Sequence, residues 1–297
     1  MALWTERGIF AGMRLWVLCF LSVLSVALLD ACKGRQAGSG GSRGTLVVTI
    51  EPLRWVTERV AGEAWRVVTV VPEGYNPEDY EPTGQTLVEI ADAAAYLKVG
   101  ELGFEQAQLP RLQETMPNLR VFDTSAGLRV DETGLPLLGF DPHTWTSPES
   151  MRKVATEVYN AMCEIDSVDS DIYRHNLQEL MQEIDSVDGA VSGKLERLRH
   201  RTFVVGHPVL TYFAHEYGLR QLALENHGQG PSMGSMEQLI KACKADSVGV
   251  ILIQSEFNTE SAATLAREIG AEVKTFRPMS YEWKREMLWI ADALADN

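Results

Sequence analysis

From Thr45 onward the chain keeps two alternating rhythms of apolar residues. Short β-branched runs, LVVTI (46–50), RVVTVV (66–71), AYLKV (95–99) and LRVFD (119–123), are nearly continuous in apolar character. Such runs fit strands covered on both faces. Between them, apolar positions recur at helical spacing: Leu53, Val56 and Val60 after the first run, then segments at 86–91 and 104–115. After Ser147, a helix cap, and Pro148, at the first helical position, a helix is expected to about Ile165. A second helical pattern runs from Asp169 to about Arg199, through Leu177, Leu180, Ile184, Val187, Val191 and Leu195, with Gly189 and Gly193 marking a place to bend. The strand–helix rhythm then resumes at 202–206, 220–224, 248–253 and 272–276, with helices at 209–217, 236–245, 260–269 and from Tyr281.

This alternation predicts α/β architecture: two lobes, each with a parallel sheet flanked by helices, joined by one long connecting helix. The expected boundaries are 45–168 for the first lobe, 169–200 for the connector and 201–297 for the second lobe. A long helix is a stiff connector, so the lobes should move less than lobes joined by loose strands.

The first residues are of another kind. Arg14 precedes LWVLCFLSVLSVALL (15–29), a run too short to span a bilayer comfortably and suited to the core of a signal peptide over 1–31. LDAC ends at Cys32 and resembles a bacterial lipobox, whose cysteine is lipidated, although Asp30 stands where a small uncharged residue is usual. The glycine- and serine-rich stretch that follows makes 32–44 a flexible tether. Cys163 and Cys243 are widely spaced and read as separate buried thiols, with neither a metal pattern nor a disulfide framework.

At 297 residues and 45% hydrophobic content the chain can bury a sizeable core. Its formal net charge of -14 excludes a nucleic-acid surface and suits a cationic or neutral ligand.

Ligands of open parallel sheets gather beyond the carboxyl ends of the strands. Three loops in that position carry candidate metal ligands: GYNPEDYEPT with Glu78, GFDPHTWTSPES with His143, and GHPVLTYF with His207. NPEDYEPT, DPHTW, the YRHN segment (173–176), GHPVLTYFAHEYGL, ENHGQGPS and RPMSYEW together resemble the metal-binding lipoproteins of bacterial ABC importers for zinc and manganese, the zinc-uptake family. The resemblance covers essentially the whole mature chain. It implies a two-lobed receptor that holds a divalent cation between its lobes and delivers it to an ABC permease, acting as a monomer anchored in the bacterial cell envelope through its N-terminal lipid.

His143 and His207 match the family's histidines, whereas Glu78 stands where the family has histidine, and Arg277 stands where it commonly has an acid before a proline. Two imidazoles and a carboxylate form a known tetrahedral zinc set once a fourth ligand joins. Glu225, Glu256 and His227 are the reserve for that place, or water fills it, and Glu81 reads as an acceptor that orients a histidine or caps the next helix. Carboxylate in place of imidazole improves the standing of Mn²⁺ or Fe²⁺, with zinc still first in affinity. His175, His200 and His215 lie in helical segments and carry no role. Two other functions compete. A zinc hydrolase lacks a helix-borne pair such as HExxH, and a metal-independent adhesin or organic-anion receptor would hold a Glu78–Arg277 ion pair in its cleft.

Overall fold

The computed structural model describes residues 42–78, 80–128, 141–225, 230–257 and 259–296. The segments expected as signal peptide (1–31) and most of the tether, with Cys32, lie outside them, as does His227.

The first lobe is built from β1 (Gly44–Val48), α1 (Glu51–Ala61), β2 (Trp65–Thr69), α2 (Gly84–Ala91), β3 (Ala95–Lys98), α3 (Gly103–Thr115) and β4 (Val121–Asp123). Its four strands are all parallel, in the order β2-β1-β3-β4. Two helices follow, α4 (Pro148–Ile165) and α5 (Ser170–Leu195). The second lobe repeats the first plan with β5 (Thr202–Val205), α6 (Thr211–Glu216), β6 (Arg220–Ala223), α7 (Met233–Ala245), β7 (Val250–Gln254), α8 (Glu260–Ile269), β8 (Glu272–Phe276) and α9 (Trp283–Ala295). Its parallel order is β6-β5-β7-β8. The chain is therefore α/β, with a parallel sheet in each lobe and a long helix between them.

Both sheets reverse direction of growth beside their first strand, β1 in one and β5 in the other. A crevice opens beyond the carboxyl ends of the strands at such a switch point. That crevice is where the candidate loops meet.

The buried strands read true because residues such as Leu46, Val48, Leu97, Val205 and Leu252 are fully enclosed. Differences sit at element ends, where capping overrides apolar periodicity. Thr83 accepts a hydrogen bond from the Thr86 N–H and Ser232 from the Ser235 N–H, so α2 and α7 begin two to three residues before their apolar pattern does. Ser147 caps α4 in the same way, with Pro148 inside the first turn. The helix α5 passes through Gly189 and Gly193 unbroken, because neither position is crowded and the flanking apolar residues pack on.

The connecting helix α5 packs on α4, α1 and α9. The acidic residues in and just before it hold cations from distant segments. Glu183 pairs with Arg59 at 3.4 Å and Lys284 at 2.8 Å, joining a helix of each lobe; Asp185 and Asp188 hold Arg152, and Asp166 and Asp169 hold Arg43. The lobes are also sealed by aromatic packing: Trp55 on α1 and Trp283 on α9 lie 4.9 Å apart, centre to centre, and both are fully buried. Cys243 is buried and Cys163 partly so, and both are free thiols. Among the described residues no helix is long and apolar enough to cross a membrane.

Candidate metal centre

His143 comes from a loop that precedes α4, and two hydrogen bonds to Asp141 fix it. The Asp141 carboxylate accepts the His143 backbone N–H at 2.9 Å and stands 2.6 Å from the ring Nδ1. A carboxylate can only accept, so Nδ1 carries the proton and Nε2 keeps its lone pair for an ion. Asp141 is pushed up by burial but ends below its ordinary value, because its hydrogen bond and attraction to His143 outweigh that cost. Tyr212 donates its hydroxyl to the Asp141 backbone carbonyl at 2.9 Å, so α6 of the second lobe holds this turn.

His207 leaves β5 through Gly206. The Gly206 N–H donates to Leu252 and the His207 N–H to the buried Gln254 side chain at 3.3 Å, which ties the turn to β7. A side chain at 206 would press on Ile253 and Gln254, so glycine suits the close approach. The His207 ring lies parallel to Phe257 at 5.6 Å and edge-on to His143 at 5.1 Å between ring centres. Burial, and then the neighbouring His143, lower its pKa to about 4, with Asp141 opposing. At neutral pH it is an uncharged imidazole, the form that binds a metal.

These rings face a cavity of about 30 Å³ lined also by Asn76, Glu78, Trp145, Gln254, Glu256 and Met279. An ion with a water fits such a space. An organic ligand does not, since sites for small molecules run to several hundred Å³.

The two imidazoles thus come together with both Glu78 and Glu256 on the wall. Glu78 is held to one side: its Oε2 accepts the Gly103 N–H at 3.0 Å at the start of α3, and the Phe104 N–H reaches Pro77. Among the described residues no three histidine, cysteine, aspartate or glutamate side chains stand close enough to hold an ion as they are.

The family model for the zinc-uptake complex component A, periplasmic (ZnuA), matches residues 46–292. The chain belongs to the ZnuA family. Among solved ZnuA structures, one described as a crystal structure of ZnuA superposes with a TM-score of 0.78 at 31% identity, covering 85% of this chain and 98% of that one. The high-affinity zinc uptake system protein ZnuA of Bacillus subtilis is 24% identical over 307 residues, 97% of this chain and 95% of that protein. The zinc-binding lipoprotein AdcA of Streptococcus pneumoniae is 24% identical over 275 residues, 87% of this chain; the match spans 54% of AdcA's own length.

Against this ZnuA background the other expected residues fall in different places. Glu225 stands 3.8 Å from His207 Nδ1, behind the ring, and does not line the cavity. Glu81 is exposed; the carboxylate that orients a histidine is Asp141, and the cap of α2 is Thr83. The Asx-like spacing of Asp141 and His143 in DPH was a visible signal for that role. Arg277 pairs with Glu73 at 3.5 Å and Glu286 at 3.8 Å, and among the described residues it forms no ion pair with Glu78. That removes the cleft pair on which a metal-independent receptor for an organic anion would depend. Trp145 is buried and also lines the cavity; its indole N–H donates to Pro278 while its carbonyl accepts from Trp283.

Proposed function

We propose that the chain is the extracytoplasmic binding component of a bacterial metal importer, which captures one divalent cation between its lobes and passes it to an ABC permease without chemical turnover. The observation that carries this reading is the meeting of two imidazoles, one from each half of the chain, 5.1 Å apart in a cavity of ionic size. Each is prepared for a cation, His143 by the Asp141 carboxylate behind it and His207 by a pKa well under neutrality. His143, His207 and Glu78 are the assigned ligands. Zinc is the first-choice cargo, with manganese or iron next, because the donors mix soft-borderline imidazole with hard carboxylate.

Binding requires Glu78 to leave the Gly103 N–H and turn to the ion. The exchange replaces a neutral donor by a divalent charge in a partly dry site, where electrostatic attraction is strong. In this reading residues 45–168 and 201–297 act as lobes around the 169–200 connector, and a lipid on Cys32 holds a monomer at the envelope by the 32–44 tether.

Calorimetry on chelator-stripped protein tests the proposal. One equivalent of Zn²⁺ should bind, and His143→Ala with His207→Ala should abolish it; absence of affinity for Zn²⁺, Mn²⁺ and Fe²⁺ in the unaltered protein would overturn it.

A further inference from the structure

Resting on the metal-capture reading, we propose that Glu256 is a protein ligand to the ion, supplying from the end of β7 the carboxylate that the chain lacks at Arg277. Strands β7 and β8 are neighbours in register, with Gln254 opposite Phe276, and the Ser255 N–H donates to the Phe276 carbonyl at 3.1 Å. Glu256 and Arg277 therefore leave adjacent strand ends at nearly the same height. A carboxylate can serve the crevice from either place.

The two side chains have divided the work. Arg277 turns to Glu73 and Glu286, so its charge is matched outside the cavity, and its backbone N–H is also taken by Glu286 at 3.0 Å. Glu256 lines the cavity beside His143 and His207. Its Oε1 is enclosed and has no hydrogen-bond partner. A buried carboxylate oxygen with nothing to accept is costly, and a bound cation is the kind of partner that removes the cost.

The ligand set then becomes two imidazoles and two carboxylates, Glu78 from the first lobe and Glu256 from the second. Each half contributes one ring and one acid. This harder set moves preference toward Mn²⁺ relative to a site of three imidazoles.

The test is Glu256→Gln, read by Zn²⁺ and Mn²⁺ calorimetry and by the visible absorption of the Co²⁺ complex, with Glu237→Gln, an exposed position on α7 away from the cavity, as comparison. Because Oε1 has no partner to lose, the metal-free variant should melt within about 2 °C of the parent. Zn²⁺ affinity should fall by at least the ~10–100-fold that loss of even an outer-sphere group costs, the Co²⁺ band should change, and Glu237→Gln should stay within about threefold. Glu256→His, which returns a donor, should recover tight Zn²⁺ binding and lose preference for Mn²⁺. Zn²⁺ binding by Glu256→Gln within about threefold of a parent that itself binds would overturn the assignment while leaving metal capture intact. A large fall in the metal-free melting temperature would also overturn it, by showing that the carboxylate serves the fold. A parent that binds no metal would instead sink the reading on which the assignment rests.

Discussion

The low pKa of His207 makes the metal-free protein acid-sensitive in a window that can be located in advance. In the unfolded chain the imidazole takes a proton near its ordinary 6.5, but in the folded protein only near about 4, since burial and the facing His143 oppose the charge. Between those values the unfolded state holds the extra proton, so stability falls as pH drops from about 6.5 toward 4 and is unaffected above. Two and a half pH units at ~1.4 kcal/mol each give a loss of about 3 kcal/mol, and the side chain is only 18% exposed, so solvent screening takes little from it. Urea titrations of chelator-stripped parent and His207→Gln at a series of pH values isolate the effect, because every other titrating group appears in both. The gap between the two stabilities should shift by about 2.5 kcal/mol in favour of the variant from pH ~7.5 to ~4.5. Parallel curves, with the gap constant to about 0.5 kcal/mol, would refute the assignment of a dry environment that keeps this ring unprotonated.

Two further changes probe the supports of the site. Asp141→Asn keeps the shape but removes the charge behind His143, and should weaken Zn²⁺ binding by ~10–100-fold with little change in the metal-free melting temperature; equal affinity by competition with a chelating dye would show that the ring needs no orienting acid. Gly103→Ala places a methyl group 2.6 Å from both the Glu78 carbonyl and its Oε2, so the 76–78 turn must shift at a cost of about 1–3 kcal/mol by urea denaturation, and an unchanged midpoint would mean that the turn gives way freely.

The architecture was legible because parallel strands buried on both faces write themselves as unbroken β-branched runs, and β8 lies at the residues its sequence implies, Glu272–Phe276. What escaped the sequence were pairings between distant positions. Asp166 and Asp169 look like solvent-facing acids until Arg43, more than a hundred residues earlier, closes on them, and Glu183 looks like one until Arg59 and Lys284 meet over it. No periodicity carries that information, because surface charge is compatible with either fate. The seal between the lobes was equally hidden: Trp55 and Trp283 are separated by most of the chain, and the packing of α1 and α9 on the same connecting helix α5 goes with their approach to 4.9 Å.

The site divides along the same line. His143 and His207 stood out through their local text, a turn with its own aspartate in one case and a strand end with glycine in the other, and local text sets local geometry. Which carboxylate faces them is a question of strand register, and there the sequence offered Glu225 and Glu256 on equal terms. Glu225 follows the edge strand β6 and ends behind the His207 ring, whereas Glu256 follows β7, the central neighbour of β5, and ends on the cavity wall. The same register disposes of the objection raised by Arg277. A guanidinium in the crevice would repel a cation, but with Glu73 on one side and Glu286 on the other it ties the β8 loop to the loop that leads to Glu78. Its positive charge is thus matched by two carboxylates and works as a strap between these loops, and in the proposed site a cation would face Glu78, Glu256, His143 and His207.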